Sequence, residues 1–139
     1  MVDAQILAVK LKELEKYIAE LEKLRTTSVE TLSKDLNKIW SLEHGLQLSI
    51  QIVIDIGNHI LADMKESNIE TYTDVIDLLG VKKVIPVDFA KRIRAMVGLR
   101  NILVHEYVEV DLKQLYSVLQ NNLDDFKEFA EFIRCFLKK

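Results

Sequence analysis

The sequence predicts an all-α protein, an antiparallel helical bundle of about four to five helices forming a single domain over residues 1–139. Three observations carry that reading. Four glycines and one proline leave little punctuation for hairpins. No strict apolar/polar alternation marks a half-buried strand. Apolar residues recur instead at three-and-four spacing, the repeat of a helix with one face turned inward.

The first helix is predicted from about Val2 to Leu24. Leu7, Leu11, Leu14, Ile18 and Leu21 make its inner stripe, and Lys and Glu fill the other face. Thr27-Ser28-Val29-Glu30 has the spacing of a capping box, in which the Thr27 hydroxyl and the Glu30 carboxylate satisfy free amides at a helix start. A second helical region runs from there toward Met64. Its middle, from Leu46 to Leu61, is apolar over most of its circumference, so it is expected to be buried among other helices or against a second subunit. Asp55 and His59 interrupt that surface four residues apart on one face. They read either as a buried pair satisfying each other or as support for a site from behind.

A short helix from Thr73 to Leu79 is expected to stop at Gly80, which suits a left-handed cap. Pro86 suits the first turn of the next helix, where its missing amide hydrogen costs nothing. Phe89, Ile93, Met96, Val97 and Leu103 form that helix's apolar stripe, and Lys91, Arg92 and Arg94 lie largely off it. Beyond an extended Val108-Glu109-Val110, Asp111 has cap spacing, with Val110 and Leu115 placed as a hydrophobic staple. The last helix then starts near Leu112 and turns Leu115, Leu119, Leu123, Phe126, Ala130, Ile133 and Leu137 inward. Cys135 falls on the opposite side.

Composition narrows the function classes. A formal net charge of −3 argues against a protein that coats nucleic acid with its whole surface. Locally the balance reverses: between Val81 and His105 there are six Lys or Arg (Lys82, Lys83, Lys91, Arg92, Arg94, Arg100) against one acid, Asp88. That run reads as a solvated helix face or as an anion site in which Lys91, Arg92 and Arg94 bind phosphates. A lone cysteine excludes an intrachain disulfide framework. With no signal segment or membrane-length apolar run, the expected location is the cytoplasm, with no membrane contact. His44, His59 and His105 have no convincing ligand spacing, so no metal site is expected. No phosphate-cradling glycine loop is present either, so this chain is not expected to use ATP itself, and no cofactor is expected.

The densest chemistry lies in Gly98-Leu99-Arg100-Asn101-Ile102-Leu103-Val104-His105-Glu106-Tyr107. If the stretch is helical through Val104, Asn101 and His105 share nearly one face, and Arg100 reaches the same place with its long side chain. Asn101 can orient the imidazole and leave its other nitrogen free to exchange protons, while Arg100 holds a phosphate. These three groups suffice for RNA cleavage without a metal. Histidine moves a proton at an RNA oxygen, the guanidinium stabilises charge on the phosphorane-like transition state, and the substrate's own 2'-hydroxyl attacks. One histidine supplies only one acid or base, so a homodimer presenting two copies across a cleft suits the mechanism better. As bare spacing, Arg-x4-His can equally be a structural histidine closing a helix.

The segment from Arg94 to Tyr107 closely resembles the signature of HepT-like toxins of the HEPN superfamily, Arg-x4-His-x-Tyr with a polar residue commonly after the arginine. A looser likeness extends to Asp55-Ile56-Gly57-Asn58-His59, to Ile85-Pro86 and to the order of the helices. The resemblance implies a dimeric helical ribonuclease toxin of a type II toxin–antitoxin system, encoded beside a minimal nucleotidyltransferase (MNT) antitoxin. It makes Arg100 and His105 catalytic and Asn101 their polar support. Tyr107 matches the tyrosine that such an antitoxin modifies with AMP, although a tyrosine that packs and hydrogen-bonds at a helix end would look the same. The competing function is a catalytically silent helical partner of a nucleotidyltransferase.

Overall fold

In the computed structural model, which describes residues 3–104 and 111–139, Asp3 opens the first helix. Its carboxylate accepts from the amides of Gln5 and Ile6 and starts α1 (Ala4–Arg25). All five residues of the expected inner stripe are buried. Ser28, rather than Thr27, then caps α2 (Val29–Ser33), accepting from the Thr31 amide. The Thr27 carbonyl serves elsewhere, taking the Tyr116 hydroxyl at 2.7 Å.

Asp35 restarts the chain by capping the amides of Asn37 and Lys38, and α3 (Leu36–Asp63) follows as the longest element. The expected single region is therefore broken at Lys34-Asp35. All seven other helices pack against α3. This own-chain cover accounts for its apolar middle: Leu46, Ile50, Ile54, Ile56, Ile60 and Leu61 are fully buried. The only large hydrophobic residues that α3 exposes among those described are Leu36 and Trp40, at its start.

The Thr71 side chain accepts from the Asp74 amide, and the Asp74 carboxylate accepts from the Thr71 amide, a complete capping box for α4 (Tyr72–Val81). Gly80 is not the cap. The helix continues through it and ends at Lys82, while the left-handed residue is Lys83, at φ 62°. A Cβ on Gly80 would lie 3.0 Å from that of Ala90, so glycine here lets α4 approach α5 (Val87–Val97) closely. Gly57 serves the α3–α4 contact likewise, since a Cβ there would meet Val75 Cγ1 at 2.5 Å.

Pro86 stands just ahead of α5, and its fixed φ of −62° directs the chain into that helix. A turn at Gly98 divides α5 from α6 (Leu99–Val104). After the undescribed residues, Asp111 caps α7 (Leu112–Asn121) as expected, accepting from the Lys113 amide. Asn122 interrupts the last expected helix and α8 (Leu123–Leu137) completes the chain. Among the described residues the expected five segments thus appear as eight helices, because three of them break at caps or turns. The extended reading of Val108-Glu109-Val110 and the Val110–Leu115 staple lie outside the described residues. Cys135 is exposed, as expected.

Asp74 also makes the start of α4 sensitive to acid. Hydrogen bonds from the Glu70 and Thr71 amides hold its carboxyl below the ordinary 3.8 against the opposing effect of burial, with lesser help from the Thr71 hydroxyl and the charge of Arg94. A carboxylate with a lowered folded-state pKa stabilises the fold above its unfolded pKa and loses that contribution as pH falls through the lowered value. Melting temperatures recorded below pH 4 should therefore fall more steeply for the wild type than for Asp74→Asn, which should be the less stable of the two at neutral pH. Parallel curves would refute this assignment.

Candidate functional site

Helix α6 lies on α3 through Leu99 and Leu103, both buried. That anchorage puts Arg100, half-buried, on the flank of α6 that meets α3 and α4. Its Nε donates to Gln51 Oε1 at 3.0 Å. Its guanidinium carbon lies 4.3 Å from the centroid of the Tyr72 ring. The edge and the face of the guanidinium are thus both held, and among the described residues its terminal nitrogens have no hydrogen-bond partner. A planar fork with its outer donors free is the part of arginine that grips a phosphate through two oxygens.

Gln51 is itself fixed from the other side. Its Nε2 donates to Asp55 Oδ1 at 2.9 Å, and Asp55 Oδ2 is 3.9 Å from Lys10 Nζ on α1. Asp55 and His59 do not pair with each other. Asp55 turns toward Gln51 and Lys10, whereas His59 Nε2 accepts from the Asp3 amide at 3.4 Å. Of the two, Asp55 stands behind Arg100 and His59 faces the start of α1. Gln51 and Tyr72 were not singled out from the sequence. Gln51 sits four residues before Asp55, a spacing that puts both on one helix face, but nothing local shows that α4 delivers Tyr72 to the same place.

The basic run is less free than its composition implies. Arg92 donates through Nε to Asp125 at 3.2 Å and through Nη2 to Glu128 at 2.7 Å, and it also lies 5.0 Å over the Phe89 ring. Arg94 pairs with Asp77 at 3.1 Å and Lys82 with Glu66 at 2.6 Å. Lys91 is exposed. The local excess of positive charge is therefore largely countered by acids that the fold brings in from α4, α8 and the segment after α3.

Asn101 belongs to α6, and in the sequence His105 comes four residues after it, beyond that helix's last residue, Val104, with Tyr107 two residues further. His105 and Tyr107, with the expected Asn101–His105 hydrogen bond, lie outside the described residues. Two helices flank the segment that carries them. One is α6 on α3. The other is α7, tied to the end of α1 by Gln120 Nε2 donating to the Arg25 carbonyl at 2.6 Å and by Arg25 Nη2 donating to the Gln120 carbonyl at 2.8 Å. Among the described residues no helix is long and apolar enough to cross a membrane.

Fold and comparison with known proteins together place the chain among helical ribonucleases. It belongs to the ribonuclease HepT-like family, whose model matches residues 14–133. It is 28% identical over 136 residues to the tRNA nuclease HepT of Aphanizomenon flos-aquae, covering 98% of this chain and 92% of that protein. Identity to the mRNA nuclease HepT of Shewanella oneidensis is 35% over 90 residues, 65% of this chain and 68% of the relative. Among solved structures, a tri-AMPylated Shewanella oneidensis HEPN toxin in complex with its MNT antitoxin superposes with a TM-score of 0.85 at 27% identity, covering 96% of this chain and 99% of that one.

Proposed function

We propose that the protein is the toxin of a type II toxin–antitoxin system, a metal-independent endoribonuclease whose site combines Arg100, Asn101 and His105 at the cleft of a homodimer. The observation that carries this reading is the held Arg100, its outer donors without a hydrogen-bond partner among the described residues, five residues ahead of His105. In the reaction the 2'-hydroxyl oxygen of RNA attacks the adjacent phosphorus and the 5'-oxygen of the next nucleotide leaves, giving a 2',3'-cyclic phosphate and a 5'-hydroxyl. One His105 accepts the 2'-hydroxyl proton, and its copy in the second protomer donates a proton to the leaving oxygen. Arg100 stabilises the charge gathered on the non-bridging oxygens. The apolar middle of α3 is used up within one chain, so it does not supply the dimer surface.

Regulation follows from Tyr107. An MNT-type nucleotidyltransferase antitoxin would direct the Tyr107 hydroxyl oxygen onto the α-phosphorus of ATP, releasing pyrophosphate and leaving AMP on the tyrosine. The added bulk and negative charge, two residues from His105, would occupy the place of substrate phosphate and silence cleavage. Support comes from the family and from the AMPylated state of the Shewanella structure.

The test compares the wild type with His105→Ala, purified without antitoxin, for RNA cleavage in the presence of EDTA. The wild type should cleave and the variant should not. Equal activity would end the proposal, and no cleavage by either, with a stable complex to the nucleotidyltransferase, would favour the silent-partner reading. Co-expression with the neighbouring nucleotidyltransferase should add AMP-sized mass increments that Tyr107→Phe lacks.

A further inference from the structure

We infer that Gln51 and Tyr72 are positioning residues that set the orientation of Arg100, with Asp55 and Lys10 completing a relay behind Gln51. The inference rests on the proposed role of Arg100 at the phosphate and assigns the means by which that role is prepared. A free arginine side chain has four flexible torsions, and each must be fixed before its fork can meet two oxygens at once. Here the fixing is done in advance from two directions. The Gln51 oxygen takes the Nε–H at 3.0 Å, and the Tyr72 ring lies under the guanidinium plane at 4.3 Å. Together they leave one edge of the plane, the one bearing the terminal nitrogens, for substrate.

The direction of the Gln51 amide is settled by its neighbours. A glutamine side chain can present either its oxygen or its NH2 toward a partner. Asp55, an acceptor when ionised, takes the NH2 at 2.9 Å and so turns the oxygen toward Arg100. Lys10, 3.9 Å from the second Asp55 oxygen, closes the line on its far side. Charge alternates along the line from Lys10 through Asp55 to Arg100, with a neutral amide between the last two. A carboxylate in direct contact with Arg100 would neutralise the group that must attract phosphate. The amide transmits orientation without itself neutralising the positive charge.

Because α3 supplies Gln51 and Asp55, α4 supplies Tyr72 and α1 supplies Lys10, the arginine is referred to three separate helices. It is thereby fixed relative to the body of the domain rather than to α6 alone. Stabilisation of the transition state depends on donors already in place before charge develops, so loosening this clamp should lower kcat and leave KM nearly unchanged.

Two readouts test the clamp on the full-length protein. In nitrogen-15 NMR the Arg100 Nε–H signal, assigned by its loss in Arg100→Lys, should exchange slowly with water in the wild type and quickly in Gln51→Ala. Its upfield ring-current displacement should survive Tyr72→Phe and vanish in Tyr72→Leu. In single-turnover RNA cleavage, Gln51→Ala and Tyr72→Leu should each lose roughly tenfold or more in kcat, with KM changed by no more than about twofold and activity kept in Tyr72→Phe. A residue that acts through Arg100 should add no further loss when the arginine is already Arg100→Lys. Rapid exchange of the wild-type Nε–H, wild-type kcat in Gln51→Ala, or an undiminished loss in the Arg100→Lys background would overturn the inference. A protected and ring-shifted Arg100 in a protein that cleaves no RNA would support the clamp and defeat the ribonuclease reading instead.

Discussion

Arg100→Ala is expected to lower RNA cleavage by roughly 10²–10³-fold, the cost of removing one group that stabilises developing charge, while the protein stays folded. The side chain donates one hydrogen bond to Gln51 and lies over one aromatic ring. Losing both should cost about 1–3 kcal/mol, a minor part of the stability of a domain whose hydrophobic core runs through all eight helices. Gln51 is only half-buried, so water can replace the lost donor. Arg100→Lys should fall between wild type and alanine. It keeps the charge but not the Nε–H or the plane that rests on Tyr72, and a compact ammonium cannot hold two oxygens as a fork does. Single-turnover cleavage of an end-labelled RNA orders the three proteins. Alanine within threefold of wild type would remove Arg100 from the reaction, and an unfolded alanine variant by circular dichroism would make its role structural.

The parts of this site differed in how far the sequence disclosed them, and the differences have physical causes. Helical periodicity reports the direction of burial, so the stripes of α1 and α5 were legible: Leu7 to Leu21 and Phe89 to Val97 are buried where three-and-four spacing puts them. Helix ends were less legible because several residues near each can cap. Thr27 and Ser28 are adjacent hydroxyls with similar capping chemistry, and it is Ser28 that accepts from the Thr31 amide. Gly80 looked like a cap because glycine tolerates left-handed backbone, yet its use is contact with Ala90, a residue on another helix. The basic run was visible as charge along the chain, whereas Asp77, Asp125 and Glu128, which engage Arg94 and Arg92, come from elsewhere in the fold. Arg100 was found by its spacing to His105. Its support by Tyr72 could not be, since that contact joins α4 to α6.

Ile54→Ala should remove about 2–5 kcal/mol of stability. Ile54 is fully buried at the middle of α3, the helix against which every other helix packs. Deleting its outer carbons removes buried apolar surface and leaves a cavity that neighbours on several sides would have to move together to close. Gly57 tests the same core in the opposite sense. An alanine methyl there would meet Val75 Cγ1 at 2.5 Å, forcing α4 away from α3, although alanine favours helix by about 1 kcal/mol over glycine. Overpacking of about 1–3 kcal/mol should outweigh that gain. The two variants should then separate in function. Ile54→Ala should leave α4 seated and cleavage near wild type at low temperature, where the protein is folded. Gly57→Ala should displace the helix that carries Tyr72 and lower kcat even when folded. Urea unfolding at two protein concentrations measures the stabilities and shows whether a dimer contributes, since only then does the midpoint depend on concentration. Ile54→Ala within about 1 kcal/mol of wild type would mean that α3 repacks around the loss, and unaltered cleavage by Gly57→Ala would uncouple the α3–α4 contact from the setting of Arg100.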